Sequence, residues 1–138
     1  LVVWWKKLYL FDSRKGVMKE LSIILYSHDL SKATEILRKH KVGGMAFYEI
    51  HATGRTKRKE IPEMVRMYQT GRMITPEAEK RTKVETLVPD SLADQIVQDL
   101  VSNLGSESDP GGLVLLTDVS NAYELGTKHS GESLLTTE

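Results

Sequence analysis

One order of hydrophobic periods occurs twice in this chain, and that repetition constrains its fold more than any other feature. Met18 to Tyr26 (MKELSIILY) is a short apolar run with β-branched content, bounded by Gly16 and by Ser27-His28-Asp29, and it predicts a buried strand. Asp29 then stands where a helix is capped. Leu30, Ala33, Ile36 and Leu37 recur at three- and four-residue intervals, while Lys32, Glu35, Arg38 and Lys39 fall on the other side. Gly43-Gly44 is expected to end that helix, and Met45 to His51 (MAFYEIH) alternates with a period near two, as a second strand does. After a gap the pattern returns. Arg81 to Val88 (RTKVETLV) is a third strand, and Pro89-Asp90 opens a second helix. Its apolar stripe is Leu92, Ile96, Val97, Leu100, Val101 and Leu104, Gly105 stops it, and Leu113 to Thr117 is a fourth strand.

Two strand-helix-strand units in succession give a four-stranded antiparallel sheet with both helices on one face. The expected class is therefore α+β, a ferredoxin-like βαββαβ sandwich with a long loop between strands 2 and 3. In the first strand Leu21, Ile23 and Leu25 alternate with Ser22, Ile24 and Tyr26, so both faces carry apolar residues. Burial of the second face against further copies of the chain follows as an expectation. A chain of 138 residues, 40% of them apolar, has material for one such core and not for two.

The expected organisation is an N-terminal extension over residues 1–17, a domain over 18–125 that closes with one helical turn at Asn121 to Leu125, and a tail over 126–138. Within the domain, periodicity disappears over residues 53–80, which contain Gly54, Pro62, Gly71 and Pro76. Compact domains seldom carry unstructured connections beyond roughly 12 to 15 residues unless the loop has work to do, so this segment is the expected functional appendage. Lys57, Arg58, Lys59, Arg66 and Arg72 make it basic, which reads as an ordinary solvated loop or, as the functional alternative, as contact with an acidic partner or a membrane-protein surface.

Several function classes fall away. Cysteine is absent, which removes disulfides, thiol nucleophiles and thiolate metal sites and fits a reducing cytosol. Nineteen basic residues balance nineteen acidic ones, so no net field draws the molecule to nucleic acid. No apolar run reaches the length of about 18 to 20 residues that spans a bilayer. Leu1 to Phe11 combines Trp4, Trp5, Tyr9 and Phe11 with Lys6 and Lys7. That segment reads as an extra strand or extension, with the cytoplasmic edge of a longer membrane protein as the alternative. A start at leucine is expected of a processed product or a fragment. His51 has no metal-spaced companion, Glu77 and Glu79 have no pocket, and no serine has a base beside it, so neither a metal nor a catalytic residue is expected.

Five features taken together resemble one family. They are the opening MKELSIIL, the Gly43-Gly44-Met45 turn, the run EIHATGR from Glu49 to Arg55, the join KVETLVPDSLADQIV, and the pair Asp118-Val119. In this order they are similar to the PII signal-transduction (nitrogen regulatory) proteins, of which the chain looks like a divergent member. The resemblance implies a homotrimer that binds an adenine nucleotide between subunits and signals through the loop between strands 2 and 3.

It also implies site residues. Gly54 and Arg55 belong to the base of the loop, Arg81 matches a lysine at its far base, and Thr56 replaces a glutamine used for 2-oxoglutarate and magnesium. Glu85 and Val88 fall near the adenine, Gly44 and Met45 on the neighbouring subunit's side of the cleft, and Gly111 and Gly112 in the turn that wraps the phosphates. Leu113 stands where the family has a phosphate-binding lysine. Two arginines expected after the fourth strand are missing, and Lys128 and His129 are the nearest substitutes. Tyr68 lies near a tyrosine that bacterial members modify, in unmatched surroundings. The implied ligand is ADP, AMP or ATP, with ATP the weakest because little positive charge remains to meet it. No cofactor is required. The function implied is a non-enzymatic, cytoplasmic regulator of a transporter or metabolic enzyme, membrane-associated only through a partner. The alternatives are a small-molecule sensor domain fused to a membrane transporter and an RNA-binding ferredoxin-like domain.

Overall fold

A computed structural model describes residues 18–54, 61–62, 73–74, 77–106 and 111–135 of the chain. Strand β1 spans Met18–Leu25, and a short 3-10 turn at Ser27–Asp29 leads into helix α1, Leu30–Lys39. Strand β2 is Met45–Ala52, and two short strands, β3 (Ile61–Pro62) and β4 (Met73–Ile74), pair with each other inside the long connection. Strand β5 is Glu79–Pro89, helix α2 is Asp90–Asn103 and strand β6 is Gly112–Val119. The main sheet is antiparallel in the order β2-β5-β1-β6, which is the ferredoxin-like arrangement.

The register explains the core. Leu21, Ile23 and Leu25 of β1 stand opposite Thr86, Val84 and Thr82 of β5, and all six side chains are buried on the side where the helices lie. From α1 come Ala33, Ile36 and Leu37, and from α2 Ala93, Ile96 and Leu100, and these interlock with the strand residues in one apolar cluster. At one end of the sheet Lys19 Nζ contacts Asp118 Oδ1 at 2.6 Å and Asp90 Oδ1 at 3.1 Å. That lysine ties β1 to the end of β6 and to the first turn of α2, where a carboxylate suits the helix dipole. His40 Nε2 and Asp99 Oδ2, 2.8 Å apart, tie the two helices together.

Four local expectations are corrected. Asp29 precedes α1 in a helical conformation and makes no side-chain cap, because the 3-10 turn already presents its backbone to the helix. Helix α1 ends at Lys39, well before Gly43-Gly44; Lys41 supplies the left-handed residue (φ 58°), a position glycine more often fills. Asn121 to Leu125 form no helical turn: Tyr123 bridges to Ser130, and the only helical turn after β6 among the described residues is the 3-10 segment Gly131–Leu134. The connection read as aperiodic over 53–80 holds the β3-β4 pair and the first two residues of β5. The segment read as a tail also reaches the body. Leu135 is 1% exposed, and its carbonyl accepts a hydrogen bond from the Gly43 N–H at 3.0 Å.

Candidate functional site

The face of the sheet away from the helices is built by the alternate set of residues: Ala46 and Tyr48 on β2, Lys83, Glu85 and Leu87 on β5, Glu20 and Ile24 on β1, Leu113 and Leu115 on β6. It divides in two. Leu113 and Leu115 leave an apolar strip at the β6 edge, 61% and 45% exposed. Toward β2 the face is polar. The Tyr48 hydroxyl donates to Glu85 Oε1 at 2.8 Å, and Lys83 Nζ lies 3.3 Å from that same oxygen. The bond from Tyr48, then the one from Lys83, holds the Glu85 carboxyl below the usual carboxylate range, and contact with Glu85 in turn raises both the Tyr48 phenol and the Lys83 amine.

Beside this network lies a groove of about 430 Å³, lined by Glu20, Gly44, Met45, Ala46, Glu85, Thr86, Leu87 and Leu134. Strand pairing creates it: Met45 stands opposite Thr86 and Ala46 opposite Glu85, so the start of β2 delivers the Gly44-Met45 turn to the middle of β5. The Thr86 hydroxyl donates to the Gly44 carbonyl and fixes the turn. A Cβ at Gly43 would come within 3.1 Å of the Leu134 carbonyl oxygen, so the chain closes tightly behind the groove. With two carboxylates and mostly apolar walls, this groove accepts a planar or donor-bearing group and disfavours a phosphate.

The opposite end of the sheet carries the bases of the long loop. Arg81 is 9% exposed, its Cζ lies 3.5 Å from the centroid of the Tyr26 ring, and that ring also stacks with His28. Its Nη2 donates to Glu79 Oε2 at 2.9 Å, and its Nη1 is buried with no hydrogen-bond partner among the described residues. Gly112 at the start of β6 has φ 140°, and a Cβ there would stand 1.7 Å from the Ile24 carbonyl oxygen. Glycine at this position is thus demanded by β1, whatever else it does. A second cavity, about 630 Å³ and largely apolar, lies between the end of α2 and β6, with Val97, Leu100, Leu104, Leu113 and Val114 among its walls.

Of the residues predicted for the site, Gly44, Met45 and Glu85 converge on the groove. Gly54, Gly111, Gly112 and Arg81 lie at the other end. Val88 does not line the groove: it is fully buried in the core cluster with Val84. Lys128 and His129 are exposed on the turn after β6, Lys128 with φ 64°. His51 is exposed, opposite Lys80 near the loop, and not in the groove. Arg55, Thr56, Lys57, Arg58, Lys59, Arg66, Tyr68 and Arg72 lie outside the described residues. Tyr48, Lys83, Thr86 and Leu134 were not singled out from sequence. Alternation along β2 and β5 puts Tyr48, Lys83 and Glu85 on one face, but only the register makes them neighbours. Phe47 and Tyr48, 57% and 45% exposed, pair with Val84 and Lys83 and so face opposite sides, which denies a base-stacking platform its paired aromatics. No group of metal-ligating side chains occurs among the described residues, and no helix among them is long and apolar enough to cross a membrane.

Comparison with known proteins places this geometry. The family model described as nitrogen regulatory protein P-II matches residues 18–129. The structure of GlnK from B. subtilis is similar at 22% sequence identity with a TM-score of 0.63, covering 86% of this chain and 98% of GlnK. The B. subtilis GlnK-ATP complex is similar at 20% identity and a TM-score of 0.64, over 88% of this chain and 97% of that one. PII from Arabidopsis thaliana, bound to citrate, shares 11% identity at a TM-score of 0.61, over 86% and 92% of the two chains. No curated protein sequence matches the chain.

Proposed function

The chain belongs to the nitrogen regulatory protein P-II family, a family of signalling proteins, and from that premise we propose that it is a homotrimer binding an adenine nucleotide in the clefts between its subunits. The observation that carries this reading is the convergence of Gly44, Met45 and Glu85 on one groove. Of the other residues implied for the nucleotide, Gly54, Gly111 and Gly112 lie at the far end of the same sheet. Leu21 stands at the level of the groove and Leu25 at the level of Gly112, four residues and about 13 Å apart at the usual strand rise. A cleft between chains joins the groove of one subunit to the glycine turn of the next. The apolar strip of Leu113 and Leu115 supplies surface for that assembly.

In this reading the groove takes the nucleoside and the loop-base end takes the phosphates. Arg81 is engaged by Glu79, and Leu113 offers no charge, so neither of these positions supplies a free cation to the phosphates. ADP or AMP is therefore the better ligand and ATP the weaker one. The long loop, with Lys57, Arg58, Lys59, Arg66, Tyr68 and Arg72, contacts a transporter or metabolic enzyme, and the protein acts without catalysis, in the cytoplasm, reaching a membrane only through that partner.

Light scattering and a thermal-shift panel test this together. A trimer mass is expected, with a rise in unfolding temperature for ADP and AMP that exceeds the rise for ATP. Ligand at about 100 times its Kd stabilises by about 2.7 kcal/mol, which such a panel resolves. A monomer, or a protein indifferent to all three nucleotides, contradicts the reading. Submicromolar ATP binding with none for AMP overturns the ligand order.

A further inference from the structure

The polar half of the open face holds a network of which the nucleotide reading uses only Glu85. Tyr48 stands opposite Lys83, and its hydroxyl reaches diagonally to Glu85 Oε1 at 2.8 Å, while Lys83 Nζ approaches that oxygen at 3.3 Å. Both donors act on one carboxylate oxygen. Glu85 Oε2 receives no bond among the described residues, and Glu85 belongs to the wall of the groove beside Gly44 and Met45.

We propose that Tyr48 is a positioning residue of the nucleotide site: with Lys83 it fixes the Glu85 carboxylate so that Oε2 accepts a hydrogen bond from a donor on the nucleoside, either a ribose hydroxyl or the exocyclic amine of the base. This rests on the nucleotide reading above and deepens it. A glutamate side chain loses rotamer freedom when it engages a ligand. Two donors gripping Oε1 restrict those rotamers before the ligand arrives. The Tyr48 bond also favours the ionised carboxyl, and an ionised carboxylate only accepts hydrogen bonds. The contact therefore selects for a donor. Glu20, the second carboxylate of the groove, adds negative charge and turns phosphate toward the other end of the cleft. Tyr48 is 45% exposed, so its hydroxyl serves this contact and its ring is not needed by the core.

Calorimetric titration of the full chain with ADP provides the test, using wild type, Tyr48→Phe, Glu85→Gln and the double variant. Tyr48→Phe keeps the ring and removes the donor, and is expected to weaken ADP about 3- to 10-fold. Glu85→Gln is expected to cost about 10-fold or more, since a charged acceptor is lost. In the Glu85→Gln background, Tyr48→Phe should cost nothing further, because no carboxylate remains to be held. Titrations with 2′-deoxy-ADP, 3′-deoxy-ADP and inosine diphosphate separate the two donor sources. The analogue that lacks the donor taken by Glu85 binds wild type more weakly and does not respond to Tyr48→Phe. Wild-type affinity in Tyr48→Phe overturns the inference while leaving the nucleotide reading intact. So does a loss of equal size in the Glu85→Gln background, which marks a purely structural role. A folded wild type that binds no adenine nucleotide removes both.

Discussion

The two faces of the sheet are cut from the same four strands in the same register, yet they have met different fates. On the helix side Leu21, Ile23, Leu25 and Val84 are each no more than 2% exposed. On the other side Leu113 and Leu115 of β6 are both exposed, and Tyr48, Lys83 and Glu85 make a polar patch. Apolar character alone did not decide burial, since β1 carries apolar residues on both faces. The helices decided it. One chain can cover only one face, and what remains open divides into an apolar strip on β6 and a polar network toward β2.

The sharpest way to break this comparison is to truncate the covered face. Leu21→Ala should lower the free energy of unfolding by about 2–5 kcal/mol, read from urea denaturation, because its cavity forms among interlocked side chains. Substituting Leu115→Ala should not approach that value. Equal costs would mean that the open face is as tightly packed as the core. Next in size is Gly112→Ala, where a new Cβ meets the Ile24 carbonyl at a φ that side chains rarely adopt. Strain of this kind costs about 1–3 kcal/mol. Its loss should appear as faster amide exchange along the start of β6 and the end of β1, with the β2-β5 pairing unaffected.

The covered face was legible in the sequence, and the open one only in outline. Period-two and period-3.6 patterns located the four strands of the main sheet and both helices, because burial against a helix enforces them residue by residue. Boundaries failed where a rarer backbone solution was used, as at Lys41, which takes a left-handed conformation that the nearby Gly43-Gly44 seemed to supply. The β3-β4 pair escaped because two residues per strand carry no period. Leu135 escaped because one buried leucine in a polar segment has no pattern around it. Gly44, Met45 and Glu85 were named through resemblance, and the fold brings them to one groove. Tyr48 and Lys83 were not, since their relation to Glu85 is a cross-strand diagonal that exists only once the register is set.

The apolar strip can be tested with little effect on the fold of a single chain. Leu115→Glu places a charge on a residue already 45% exposed, so chain stability should change by less than about 0.5 kcal/mol. The proposed assembly should respond far more. The expected result is a fall in mass by light scattering from trimer toward monomer, with far-ultraviolet circular dichroism unchanged. An intact trimer would show that the strip lies outside the subunit contact.

The smallest effect belongs to the rim where the two faces meet. Lys19 bridges Asp118 and Asp90, and its amine is raised above the ordinary lysine value, first by the hydrogen bond to Asp118 and then by that to Asp90. A raised folded value means that the bridge contributes fully at pH below the unfolded lysine value, about 10.4. The contribution is lost as pH climbs through the higher folded value. Lys19→Met should therefore lower the unfolding temperature by roughly one or two degrees at neutral pH, as expected for a half-exposed ion pair. That gap should hold through mildly alkaline pH and close only where the wild-type lysine loses its proton. A gap that persists beyond that point would assign the role of Lys19 to the packing of its methylene stem, and would move the residue from the polar rim to the covered face.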